Sequence, residues 1–244
     1  MLNNAYDRNN AYNRLNHMIT YSKANLSETV VSYVKNKILT GELKSGDRLV
    51  ETDISDELGI SRAPIREALR ELNMRGILIF LPKKGSQVLN LGYKDIEEIL
   101  SIRIPLEMQV LTLIFEKSLL QEQELNYLEK LNHEMIRADK ETAMDVREKN
   151  YIFNTCDLAF HEFFWKRSES LRRVEILENQ YFQLLAAMNR DISTLGSVME
   201  KHDEHQRIIE ACRTGVLDQV LTAFQAHMAP YLKAIIKLEN QTGK

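Results

Sequence analysis

Four side chains along the C-terminal half have types and spacings that can hold a divalent cation. Asp157 and His161 lie one helical turn apart, on an apolar stripe formed by Phe153, Cys156, Phe160 and Phe164. His205 falls in line with Ile208, Ile209 and Cys212, and His227 with Val220, Phe224 and Tyr231. A carboxylate left unpaired in an apolar interior is costly. Three imidazoles and one carboxylate, on the inward faces of three helices, offset that cost by sharing one cation. The set suits zinc, nickel or manganese, and the residue types alone do not choose among them. Four protein ligands close a tetrahedral zinc site, whereas a larger coordination number leaves positions for water or a carboxylate. Each residue taken singly also reads as a core polar group with a hydrogen-bond partner. His202, one turn before His205, has Lys201, Asp203 and Gln206 around it and is set aside, as are His17 and His133. Glu162 and Glu204 adjoin two of the histidines, but helical geometry turns them to other faces.

Arg103 and Glu107 intrude, four residues apart, on a stripe marked by Ile96, Leu100, Val110, Leu111 and Ile114. Two readings stand: an internal ion pair, or a guanidinium that forks onto the carboxylate of a small ligand. Tyr181, Asn189 and Arg190 are further candidates for the same pocket.

A second chemistry lies between Gly59 and Leu72. Gly59 permits a tight turn at positive φ, and Ser61 is expected to cap a helix with its hydroxyl. Pro64 falls in the first turn, where its missing N–H costs nothing. Ile65, Ala68, Leu69 and Leu72 then make a buried face, and Arg62, Arg66 and Arg70 an exposed stripe. A solvated amphipathic helix has the same pattern. Arginines near the start of a helix that follows a short turn also suit insertion into a DNA major groove, where guanidinium forks onto guanine.

These groups need a scaffold, and the sequence reads as mainly α. Leu26 to Thr40 is a helix stopped by Gly41, and Asp53 to Leu58 a short helix meeting the next one across Gly59, a helix-turn-helix arrangement. Ile77–Leu81 and Ser86–Leu89 form a hairpin around Pro82-Lys83-Lys84-Gly85, whose lysines can reach a phosphate. Residues 93–240 show no strand signal and resolve into about six helices, near 94–117, 121–140, 145–167, 170–193, 198–214 and 216–239. Gly196 and Gly215 punctuate the last two junctions. The expected domains are thus a mobile arm at 1–24, a DNA-binding domain at 25–92 and an all-α domain at 93–240.

The 244 residues carry a net charge of −3, so any DNA binding must come from local placement of arginines. Two cysteines, Cys156 and Cys212, sit in apolar helical patterns and read as reduced core residues of a cytoplasmic protein. No apolar run reaches membrane-spanning length, so no membrane partner is expected.

Leu43-Lys44-Ser45-Gly46-Asp47-Arg48-Leu49, Glu51, the run from Leu58 to Leu69, and Lys84-Gly85-Ser86-Gln87-Val88 together resemble the winged helix-turn-helix of GntR-type bacterial transcription regulators. Ser45 and Ser55 stand where that family usually has Pro and Ala, both remote from the arginine stripe. The resemblance implies base reading by Arg62 and Arg66, with Ala63 and Pro64 packed beside them and Lys84-Gly85 at the wing tip. Downstream, Asp157-x-x-Phe160-His161, Glu204-His205-x-x-Ile208, Gly215 and His227 resemble the FCD effector domain of the FadR-like branch. It implies one divalent metal per subunit on Asp157, His161, His205 and His227, with a small organic acid completing its coordination. Arg103 would then bind that acid.

Two function classes follow. One is a ligand-responsive transcription factor, expected to repress, that binds an inverted-repeat operator as a homodimer, since a single recognition helix makes few contacts. The other is a metal-dependent enzyme with an appended DNA-binding module, because such a cation can also activate water. No separate general base stands out. A purely structural metal site is a third reading.

Overall fold

The computed structural model describes residues 26–117, 120–189 and 198–242, the side chains of Val198 and Met199 and those beyond Tyr231 excepted. The expected arm at 1–24, Arg190 and Gly196 lie outside the described residues.

Helix α1 (Leu26–Leu39) buries Val30, Val31, Val34, Ile38 and Leu39 at helical spacing. Leu26, expected on that face, is exposed. Strand β1 (Arg48–Leu49), helix α2 (Glu51–Leu58), helix α3 (Arg62–Met74) and strands β2 (Leu78–Leu81) and β3 (Gly85–Val88) follow. Gly59 ends α2 in the left-handed region at φ 65°, with its N–H on the Ser55 carbonyl. No heavy atom lies within 4 Å of a Cβ built there, so the requirement is conformational rather than steric. α3 buries Ile65, Ala68, Leu69 and Leu72, as its spacing demands. Ser61 sits at the N-cap but its side chain makes no capping bond, contrary to expectation.

The two-residue strand β1 completes an antiparallel sheet in the order β1-β3-β2, pairing Arg48 with Gln87 and Leu49 with Ser86. β2 and β3 pair from Leu78↔Val88 to Leu81↔Gly85. Lys83 and Gly85, both at positive φ, turn the hairpin and leave Lys84 exposed at its tip. Three helices with this sheet make a winged helix-turn-helix.

The rest of the described chain is helical: α4 (Tyr93–Lys117), α5 (Glu122–Lys140), α6 (Val146–Arg167), α7 (Leu171–Met188), α8 (Val198–Thr214) and α9 (Leu217–Thr242). Capping boxes start two of them, Gln121 with Glu124 and Asp145 with Glu148. α5 packs on α6 and α8, and α9 on α4 and α8. That arrangement brings the inner faces of α4, α6, α8 and α9 to one place.

The two parts meet end to end. Asn189 donates from Nδ2 to the Ile38 carbonyl at 2.7 Å, and Asn154 to the Leu39 carbonyl at 2.8 Å. These are C-terminal carbonyls of α1, which no residue of a helix can satisfy from within. In return the Ser45 N–H donates to the Ala186 carbonyl, near the C-terminus of α7, at 2.9 Å. A proline at position 45 could not make this bond.

Candidate functional site

α6 supplies Asp157 and His161, α8 supplies His205 and α9 supplies His227. All four are buried, with His205 and His227 at 0 % exposure. Ligand-type atoms of the three histidines lie within 4.8 Å of one another. His161 Nε2 and His227 Nε2 are 3.3 Å apart, and His205 Nε2 is 3.4 Å from Asp157 Oδ1. Atoms that each sit about 2.0–2.2 Å from one ion are separated by roughly 3–4 Å, so these spacings fit a shared cation.

The tautomers are set from outside the cluster. His161 Nδ1 faces Glu107 Oε2 at 3.1 Å, and that oxygen also accepts from Trp165 Nε1 at 2.9 Å. Glu107 Oε1 accepts from Arg103 Nε at 2.6 Å. Burial pushes the Glu107 carboxyl up, but Arg103 and His161 outweigh it and hold it at about 2. An ionised carboxylate only accepts, so the His161 Nδ1 donates to it and Nε2 is the atom turned to the cluster. His227 repeats the device, with Nδ1 3.1 Å from Glu204 Oε2. The two Nε2 atoms therefore face each other across 3.3 Å.

Polar atoms without partners complete the case. Asp157 Oδ2 accepts from the Tyr181 hydroxyl at 2.9 Å, while Oδ1 has no hydrogen-bond partner. Both ring nitrogens of His205 are likewise unpartnered, its ring stacked 3.9 Å from that of Phe160. Burial drives the His205 imidazole down to about 3 despite the facing Asp157 carboxylate. Burial also takes His227 well below its ordinary value, with His205 and Lys201 adding to the shift. The Asp157 carboxyl is raised by burial but lowered further by His161, His205 and Lys201, so it stays ionised. Neutral imidazoles beside an ionised, half-satisfied carboxylate are the protonation states that metal ligation requires. The donor set fits zinc, nickel or manganese.

A cavity of about 260 Å³ opens beside the cluster. Asp157, His161, Arg103, Tyr181, Asn154, Asn189 and Lys201 line it, together with a wall of leucines, methionines and Phe153. Arg103 makes the internal ion pair with Glu107 and also lines the cavity. Tyr181 holds Asp157 in place, and Asn189 joins the cavity to α1.

The placement of three side chains at the cluster and cavity escaped the sequence reading. Glu204 was expected to face away, yet it reaches His227 on the neighbouring helix. Glu107 orients His161 as well as pairing with Arg103. Lys201, set aside as a neighbour of His202, is 6 % exposed and lines the cavity. Its position four residues before His205 was the available signal. His202 stays outside the cluster, stacked on His133 at 6.0 Å.

In the winged part, Arg62, Ala63, Arg66 and Arg70 are exposed and Pro64 half-buried, on the side of α3 opposite its core face. Arg66 Nε donates to Glu51 Oε2 at 2.8 Å. Lys84 and Gly85 are exposed at the hairpin.

No helix among the described residues is long and apolar enough to cross a membrane. Residues 26–88 match the bacterial regulatory proteins of the gntR family, and residues 98–230 match the FCD domain. A protein of Paenarthrobacter nicotinovorans described as a "Probable D-xylose utilization operon transcriptional repressor" is 27% identical over 218 residues, covering 87% of this chain and 90% of that protein. The Bacillus subtilis regulator YdhC is 39% identical over 105 residues, 43% of this chain, and the match spans only 46% of YdhC. The solved structure of E. coli McbR/YncC superposes with a TM-score of 0.75 at 21% identity, over 88% of this chain and 99% of that one, which is a likeness of fold. These relatives are transcription regulators, and the metal-dependent enzyme weighed above has no support among them. The chain belongs to the gntR family of bacterial DNA-binding transcription regulators, in the form that carries an FCD domain.

Proposed function

We propose that this regulator is a cytoplasmic, FadR-like repressor whose DNA affinity is set by a divalent metal and a small organic acid. The observation that carries the reading is the pair of Nε2 atoms of His161 and His227, 3.3 Å apart, beside Asp157 Oδ1 and His205, which have no hydrogen-bond partners. Asp157, His161, His205 and His227 would hold zinc, nickel or manganese, one ion per subunit. When bound, the cation supplies a Lewis-acidic position for a carboxylate oxygen. Glu107 and Glu204 keep the Nδ1 protons in place, as carboxylates behind ligating histidines do. Arg103, braced by Glu107, turns toward the acid, and Tyr181 fixes Asp157.

Residues 25–92 form the DNA-binding domain and 93–240 the effector domain. Arg62 and Arg66 read bases at an inverted-repeat operator, Ala63 and Pro64 lie against it, and Arg70, Lys84 and Gly85 meet the backbone. A homodimer, joined through the helical domain, presents two such modules. The coupling runs through Asn154 and Asn189, which line the cavity and cap the C-terminus of α1. A ligand that moves α6 or α7 changes those bonds, and so biases the winged part by differential affinity.

Fluorescence anisotropy on the protein's own upstream DNA tests this. Zinc-loaded protein should bind that DNA and release it on addition of a small acid, while His205→Ala should bind it without responding. A full response in the His205→Ala variant would overturn the proposal.

A further inference from the structure

The ligand's chemical class follows from how the cavity is lined, given the proposed acid-responsive reading. Lys201 is the decisive residue. Its side chain is 7 % exposed, and Nζ has no hydrogen-bond partner. Nζ stands 3.5 Å from Glu204 Oε2, which also serves His227, and 3.7 Å over the centroid of the Tyr231 ring. An aromatic face attracts the charge but leaves N–H donors unused. The Glu204 carboxylate balances the charge, and the hydrogen-bonding capacity of the buried ammonium is left for a ligand.

Most of the remaining lining is apolar. Leu100, Met135, Phe153, Leu184, Leu185, Met188 and Met228 line the cavity, with the side-chain amides of Asn150, Asn154 and Asn189 among them. Hydroxyl groups placed there would lose their water without gaining partners.

The charges in and directly behind the cavity lining also set the ligand's own: Arg103, Lys201 and Asp157 line it, and Glu107 and Glu204 stand against the first two. Arg103 and Lys201 are positive, and Glu107, Asp157 and Glu204 are negative. Lys149 and Asp139 at the cavity cancel. With a divalent ion in the cluster the sum is +1, which a single carboxylate neutralises. The cavity, about 260 Å³, lies just below the range of about 300–1,000 Å³ typical of drug-sized ligands.

We propose that the cavity takes a small monocarboxylate with an apolar body, and that Lys201 anchors its carboxylate while the methionine and leucine wall holds the body. The lysine is a specificity-determining residue beside the metal ligands, not one of them. Methionines on the wall suit a flexible apolar body, since the thioether chain adapts to irregular shapes.

Isothermal titration of zinc-loaded, full-length protein tests this with four probes: hexanoate, phenylacetate, gluconate and hexanamide. Hexanoate or phenylacetate should bind at least about tenfold more tightly than gluconate, and hexanoate at least about tenfold more tightly than hexanamide. Lys201→Met should bring hexanoate down to the level of hexanamide, with zinc content unchanged. The comparison of acid with amide is made on the unaltered protein and does not depend on the variant folding. Gluconate binding more tightly than both apolar acids would overturn the inference while leaving the acid-responsive reading intact. So would a Lys201→Met variant with unchanged preference, or one in which only zinc content changed. If no acid bound the zinc-loaded protein, both readings would fall together.

Discussion

His161 and His227 point their Nε2 atoms at each other across 3.3 Å, while each turns Nδ1 to a carboxylate on a different element. That relationship separates a ligand cluster from three unrelated core histidines. Histidines that serve only packing are satisfied through both nitrogens or bond to each other through one proton. Here each Nδ1 is committed to an outer carboxylate, and the two Nε2 atoms converge with His205 and Asp157 Oδ1 on one point.

The outer carboxylates give the first prediction. Glu107→Gln and Glu204→Gln keep side-chain volume but free the Nδ1 protons and permit the other tautomer. Each should weaken zinc affinity by about 10–100-fold. Competition with a chromophoric chelator reads this directly. Unchanged affinity in both variants would show that the carboxylates do not orient the histidines.

Stability of the metal-free protein should depend on pH through the buried imidazoles. His205 titrates near 6.5 when unfolded and at about 3 when folded, so the unfolded chain binds more protons between those values. Stability is therefore fully present above about pH 6.5 and lost as pH falls toward 3. His227, also depressed, acts in the same direction. Glu204, whose carboxyl burial raises, acts in the opposite direction. Asp157, His161, Lys201 and His202 are the charged and titratable groups facing His205. The expected loss by pH 5 is on the order of 2 kcal/mol for His205 alone. Thermal melts in a chelator should show it, and His205→Gln should flatten the slope.

Asn189 predicts a separation of binding from response. Asn189→Ala leaves the Ile38 carbonyl with the Gly41 N–H as its remaining donor and should cost about 0.5–1.5 kcal/mol of stability. It should retain zinc and DNA binding but reduce the change in DNA affinity caused by ligand. Equal responses in the variant and the parent would remove Asn189 from the coupling route.

On DNA, Arg66→Ala should cost about 1–3 kcal/mol and relax base preference, whereas Lys84→Ala should weaken all sequences evenly and lower the salt dependence. Arg66 first has to leave Glu51, which bonds it at 2.8 Å on an exposed surface. Glu51→Gln should thus change affinity far less than Arg66→Ala, since exposed pairs contribute about 0–1 kcal/mol.

Much of this was legible in the sequence because the signals were local. The stripes of α3, α6, α8 and α9 repeat at helical spacing, so their inward residues could be named. What escaped depends on which helix lies alongside which. Glu204 points away from its own neighbour His205, yet α8 packs on α9, and its flank meets His227. Lys201 shares the His205 stripe, but a lysine beside charged residues reads as solvated until the packing closes over it. β1 is two residues long and exists only because β3 pairs with it. Ser45 sits at a place where a proline is usual, and its value lies in an N–H given to Ala186, 141 positions away.

The measurement that bears most directly on the metal reading is native mass spectrometry of protein purified without chelator, for the parent and for His205→Ala. The parent should carry one zinc, nickel or manganese ion per subunit in a dimeric assembly, and the variant should remain folded and lose the ion. A parent that carries no cation after incubation with excess zinc, nickel and manganese would contradict the account and leave the four residues as core polar groups.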